Sequence, residues 1–151
     1  MHGIGNVHDA QTIYSWVAES RREYDKPLCA EHKEAPLGWE YVGSGSFRSV
    51  WRSPEGVAYK VEHNDGDSCQ SGDEIENLNL AWGKGAPEGC RLPKFDEFRV
   101  DGEVVVAIEL IEGKTLYEYE GPEKYDLYER LSQCEMRFRR EIGRASCRER
   151  V

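Results

Sequence analysis

With 151 residues the chain is one domain or part of one, and its 38% hydrophobic and 32% charged residues suit a soluble globular protein. A net charge of −9 argues against nucleic acid as the main partner, because neutralising phosphates needs a basic face. No apolar run is long enough to span a membrane, and Met1-His2-Gly3 does not open a basic-then-apolar leader.

Residues 9–24 read as a helix that Asp9 can cap, with Ile13, Trp16, Val17 and Tyr24 close to one face. Residues 25–37 contain Pro27, Pro36 and several charges, and read as a connector. A β-rich block follows. Trp39 to Val42 is a short strand, Gly43 to Ser46 a turn of small residues, and Phe47 to Arg52 a second strand. Ser53-Pro54-Glu55-Gly56 is a turn, with Pro where φ is preset and Gly where the chain reverses. Val57 to Glu62 completes an antiparallel meander.

His63 to Gly72 is a polar loop. Asp73 to Trp82 places Ile75, Leu78 and Trp82 at helical spacing, and Gly83 and Gly85 are expected to stop that helix. Phe95 to Val100 and Glu103 to Ile111 are strands joined by the hairpin signal Asp101-Gly102. The apolar run Val104 to Ile108 predicts burial on both faces. Pro122 opens a last helix with Leu127, Leu131, Cys134 and Phe138 along one stripe.

The last eleven residues, Glu141 to Val151, have no apolar period and match one reading frame of a common short-read sequencing adapter. They are expected to lie outside the folded domain, with the gene continuing beyond them; a basic disordered tail is the alternative. The five cysteines, Cys29, Cys69, Cys90, Cys134 and Cys147, form no disulfide framework and read as reduced thiols in the cytoplasm. Cys29 and His32 have ligand-like spacing, but no second Cys/His pair follows to complete a zinc site.

Four features in order carry chemistry. Gly43-Ser44-Gly45-Ser46-Phe47-Arg48-Ser49-Val50 joins two strands, and its glycines would let backbone N–H groups approach phosphate oxygens. Gly-x-Gly also makes ordinary hairpin turns. Val57-Ala58-Tyr59-Lys60 lies on the next strand, where a lysine can put an ammonium beside phosphates or simply face solvent. Glu74, on the following helix, can supply the anion that holds such a lysine. Glu76 is its rival, and a solvated acidic helix face is the bland alternative. Finally, a buried strand leaves through Ile108-Glu109-Leu110-Ile111-Glu112-Gly113, where backbone groups could read adenine.

This order resembles the N-terminal lobe of the eukaryotic-type protein kinases over residues 38–116. The resemblance implies an α+β fold, a twisted antiparallel sheet of about five strands with one helix packed across it, plus flanking N- and C-terminal helices. It divides the chain into 1–37 (helix and connector), 38–116 (kinase-like lobe), 117–140 (start of a second-lobe helix) and 141–151 (tail). It implies that Val42, Val50 and Ala58 roof the adenine, and that Gly43 and Gly45 cover the phosphates. Lys60 would bind the α/β-phosphates and pair with Glu74, preferred because Glu74-Ile75 followed by Leu78 resembles the usual helix pattern. Ile108 would be the gatekeeper, and the backbones of Glu109 and Ile111 would bond the adenine edge. ATP is the implied cofactor with Mg2+, whose ligands are expected in a missing second lobe, and a protein hydroxyl is the implied acceptor.

The sequence departs from the family at Arg48, which stands where the loop's third glycine is usual and should stiffen the tip and add charge to it. It also contains neither His-Arg-Asp nor Asp-Phe-Gly, the source of base and metal ligands, so these residues alone are expected to be inactive. Two further readings are a non-catalytic pseudokinase-like module that binds nucleotide or protein, and a small β-rich interaction domain. Other motifs fail on spacing. A Walker loop ending at Gly113-Lys114-Thr115 would need a glycine at Ile108. A dinucleotide fingerprint at Gly43 is broken by Arg48 and followed by a strand. A calcium loop from Asp65 and Asp67 would need a ligand at Cys69 and a glycine at Gln70.

Overall fold

The computed structural model describes residues 2–24, 35–45, 47–62, 70–86, 91–112, 121–133 and 136. The expectations for Cys29, His32, the 63–69 loop, Cys134, Phe138 and the 141–151 tail fall outside these residues, as does the side chain of Tyr24. The elements in order are helix α1 (Val7–Tyr24), strands β1 (Glu40–Ser44), β2 (Arg48–Arg52) and β3 (Val57–Glu62), helix α2 (Gln70–Lys84), and strands β4 (Phe95–Val100) and β5 (Glu103–Glu109). A third helix, α3, follows over 122–133. The strands form one antiparallel sheet in the order β1-β2-β3-β5-β4. The expected α+β class, five strands and helix between β3 and β4 are therefore present.

The chain divides into two units. One contains Met1–Ile75 and Pro93–Leu110, hence α1, the whole sheet and the first residues of α2; the other contains Glu76–Leu92 and Ile111–Val151. In the first unit, alternation along each strand gives the sheet two different faces. Trp51, Tyr59, Val61, Val100, Val105 and Ala107 turn to one face and meet Ala10, Ile13 and Val17 of α1 in a single core. These α1 positions recur at intervals of three and four, so one stripe of the helix is buried. Burying Ile13 and Val17, at 0% and 2% exposure, contributes about 1.5–3 kcal/mol each. Trp16 and Trp51 add an edge-to-face contact with ring centroids 4.8 Å apart. The helix whose apolar side chains complete this core is thus α1, on the face opposite the one that faces Glu74.

Several local expectations are corrected. α1 begins at Val7, and its cap is Asn6, whose Oδ1 accepts from Asp9 N at 2.8 Å while its Nδ2 donates to Asp9 Oδ2 at 3.0 Å. Asp9 is the partner in a reciprocal cap, not the cap itself. β1 continues through Gly43 to Ser44, with a register shift between Tyr41 and Gly43 that leaves Val42 as the extra residue of a bulge. α2 starts at Gln70 and runs through Gly83. Gly85, at φ 82°, ends it and donates its N–H to Ala81 O at 3.0 Å. β5 ends at Glu109, where β3 begins opposite it at Val57, so no rung remains for Ile111. Within the run Val104 to Ile108, only Val105, Val106 and Ala107 are fully buried. Asp101 and Gly102 both have positive φ, as the two-residue hairpin requires. In the second unit, Pro122 is the first helical residue of α3, Leu127 is half-buried, and Leu131 is exposed.

Candidate functional site

The sheet face opposite α1 carries the expected constellation. Antiparallel rungs place Val50 beside Lys60 and Lys60 beside Val106, and the next rung places Ala58 beside Ile108. Directly opposed residues share a face. Val50, Ala58, Lys60 and Ile108 therefore form one patch, with Ala58 buried and the other three half-buried. Gly43 pairs with Val50 at the end of the β1–β2 hairpin. Gly45 donates its N–H to Arg48 O at 2.9 Å and closes the hairpin. Phe47, near the tip, is exposed, as is Val42 at 47%.

The first turns of α2 bring Glu74 to this face. Lys60 Nζ donates to Glu74 Oε1 at 2.6 Å, with both side chains 21% exposed. Glu76 is exposed. Between the two glutamates named as partners, the lysine takes Glu74. The other oxygen, Oε2, accepts from Arg48 Nη1. Burial pushes the Glu74 carboxyl up, and the hydrogen bonds and charges of Lys60 and Arg48 outweigh it, so its pKa lies below the ordinary carboxylate range. The carboxylate is thus fixed as an anion between two cations, and the three groups together carry one net positive charge.

Neither Gly43 nor Gly45 has a positive φ, and a Cβ built on either would meet nothing within 4 Å among the described residues. Packing among the described residues therefore does not call for glycine at these two positions. Glu109 is half-buried at the end of β5, and its N–H donates to Lys94 O at 2.9 Å. Ile111 belongs to the second unit and is 58% exposed.

Two features escaped the sequence reading. The first is the partner of Arg48: this residue, within the expected strand Phe47 to Arg52 and expected to stiffen and charge the loop tip, opens β2 and bonds Glu74. The second is Asp96, which is 3% exposed in β4 on the same face as Phe98 and Val100. Its oxygens accept from His2 N at 2.7 Å, Gly3 N at 3.2 Å, Ile4 N at 2.8 Å and Gly5 N at 3.3 Å. An acidic residue at a core-facing strand position was the available signal, because a buried carboxylate needs donors. Its role is to fasten the N-terminus.

Among the described residues no group of three or more His, Cys, Asp or Glu could hold a metal ion, and no helix is long and apolar enough to cross a membrane. Comparisons with protein-family models, with curated proteins and with solved structures find no match to this chain.

Proposed function

We propose that these residues form the ATP-binding lobe of a protein-kinase-like protein, with the nucleotide lying against the face that carries Val50, Ala58, Lys60 and Ile108. The observation that carries this reading is the 2.6 Å contact between Lys60 Nζ and Glu74 Oε1. A lysine one strand beyond a glycine loop, held by a helix carboxylate, is an ammonium positioned for the α/β-phosphates. A β-rich interaction domain with a chance likeness gives no reason for that pairing. The glycines add support. Among the described residues nothing packs against Gly43 or Gly45, and close approach by a phosphate would give these glycines a role. Val42, Val50 and Ala58 are the proposed roof over adenine, Ile108 the gatekeeper, and the backbone of Glu109 a polar contact.

ATP would bring Mg2+ with it, and no metal ligand is assigned to the described residues. Transfer to a protein hydroxyl also needs a base and metal-holding side chains of the kind found in His-Arg-Asp and Asp-Phe-Gly, which these 151 residues do not contain. The function proposed for these residues is ATP binding, and phosphoryl transfer is proposed for a protein that adds those groups. A pseudokinase-like module shares the first part of this reading and lacks the second.

Calorimetric titration of the 151-residue chain with Mg-ATP tests it. One wall of a cleft should bind in the high micromolar range or more weakly, since much of the ligand stays in water. Lys60→Met should abolish the heat while the circular dichroism spectrum is unchanged. Equal binding by the variant, or none by the wild type at millimolar ATP, would sink the reading.

A further inference from the structure

Glu74 divides its two oxygens between two cations, Lys60 on Oε1 and Arg48 on Oε2. All three side chains are between 18% and 21% exposed, so each charge is largely withdrawn from water. Arg48 is also the residue whose carbonyl accepts from Gly45 and closes the glycine hairpin. One guanidinium therefore ties the base of the loop to the first turns of α2.

The two cations are not equivalent. Arginine holds a planar guanidinium in fixed geometry, whereas lysine carries a compact ammonium on a flexible stem with three donors to distribute. A phosphate placed at Lys60 competes with Glu74 for those donors. If Lys60 were the only partner, sharing its donors with a phosphate would weaken its hold on a half-buried carboxylate and leave that negative charge near the incoming phosphate. We infer that Arg48 is a positioning residue that keeps Glu74, and with it the start of α2, in place while Lys60 shares its donors with a bound polyphosphate. This rests on the nucleotide reading of Lys60. It gives the arginine, which replaces the expected third glycine, a task a glycine cannot perform.

Hydrogen exchange of the α2 amides from Glu74 onward tests the inference in the 151-residue chain. The variants are Arg48→Met, Arg48→Lys, Lys60→Met and the Arg48→Met/Lys60→Met double. Without nucleotide, Lys60→Met should stay within about threefold of the wild-type exchange rate, because Arg48 still holds Glu74 through a charged hydrogen bond. The double variant should exchange roughly tenfold faster or more, the loss expected for a charge-assisted bond. With saturating Mg-ATP, α2 should be unchanged or slower in the wild type and faster in Arg48→Met, and Arg48→Lys should restore part of the protection. A residue that only stabilised the fold would raise exchange equally with and without ATP.

Lys60→Met exchanging as fast as the double variant overturns the anchoring role. An Arg48→Met chain that binds ATP with no acceleration in α2 overturns the coupling to polyphosphate and leaves the nucleotide reading standing. A wild-type chain that gives no heat with Mg-ATP sinks that reading and the polyphosphate half of this inference together, and the nucleotide-free comparison still decides the anchoring half.

Discussion

The hydroxyl of Tyr59 accepts the backbone N–H of Asn6 at 3.1 Å. The ring is fully buried in the core beneath α1, so a polar atom from the sheet reaches the cap of the helix above it. The approach is close enough that a Cβ on Gly5 would lie 2.8 Å from Tyr59 Oη and 2.9 Å from Ala107 Cβ. Tyr59→Phe keeps the ring and removes the acceptor. The expected cost is about 1 kcal/mol, a fall of roughly 2–4 °C in melting temperature for a chain of this size. Thermal denaturation followed by circular dichroism measures it, and no loss would mean that water replaces the hydroxyl.

Asp96 predicts an acid limit to stability. Burial pushes its carboxyl up, and the four backbone donors at residues 2–5 outweigh that, so the folded pKa lies below the ordinary value. A depressed folded pKa stabilises above the unfolded value, about 4, and the contribution is lost as pH falls through the folded value. Glu74 is shifted in the same direction and loses its contribution the same way. Urea unfolding of the wild type should therefore weaken steadily below about pH 4. Asp96→Asn should be less stable at neutral pH, and its deficit should shrink on acidification. A deficit that stays constant with pH would show that the carboxylate charge contributes nothing.

Gly45→Ala separates binding from folding. Without a positive φ or a close neighbour among the described residues at this position, alanine should leave stability unchanged or raise it by about 0.4–1 kcal/mol through the unfolded state. The same methyl should weaken Mg-ATP binding if a phosphate passes close to the backbone. Calorimetry and thermal melts on one sample give both numbers. Equal affinity would remove Gly45 from the proposed site.

Ile13→Ala is the converse case. Ile13 is fully buried between α1 and the sheet, so truncation should cost about 2–5 kcal/mol. The face holding Lys60 and Glu74 lies on the other side of the sheet, and affinity for Mg-ATP below the melting transition should be preserved. A parallel loss of affinity would mean that the two faces are coupled through the strands.

How much was legible depended on where each residue's partner lies in the chain. β2, β3 and the β4–β5 hairpin follow from local alternation and from turn residues such as Asp101 and Gly102. The pairing of Lys60 with Glu74 was also within reach, since the two are 14 residues apart in a helix-after-strand order. The start of α2 was missed because an N–H of its first turn is met from outside the helix: Ser71 N donates to Glu62 Oε1 at 2.8 Å, a partner at the end of β3. Gly83 was expected to break the helix, but one glycine in a helix costs only about 1 kcal/mol, and the reversal needs the positive φ of Gly85. The strand position of Arg48 was legible, but its bond to Glu74 was not, because that partner lies 26 residues on. An acid at a core-facing strand position hinted that Asp96 needs donors, but no local pattern says that they lie more than ninety residues away.

That last distance has a consequence for the order in which the protein is made. The contact between His2 and Asp96 closes a separation of 94 residues. α1 leaves the ribosome before the sheet, and the strands that bury Ile13 and Val17 are finished only with β4 and β5. Most of the stability of a helix in a protein comes from packing its apolar face. The apolar stripe of α1 must therefore wait, undocked, until β4 and β5 have been made, and exposed apolar surface in a nascent chain is open to aggregation and to chaperones. A ribosome stalled before Phe95 would expose a helix with nowhere to go, and one stalled just after Glu109 has emerged would release a unit able to close in a single late step.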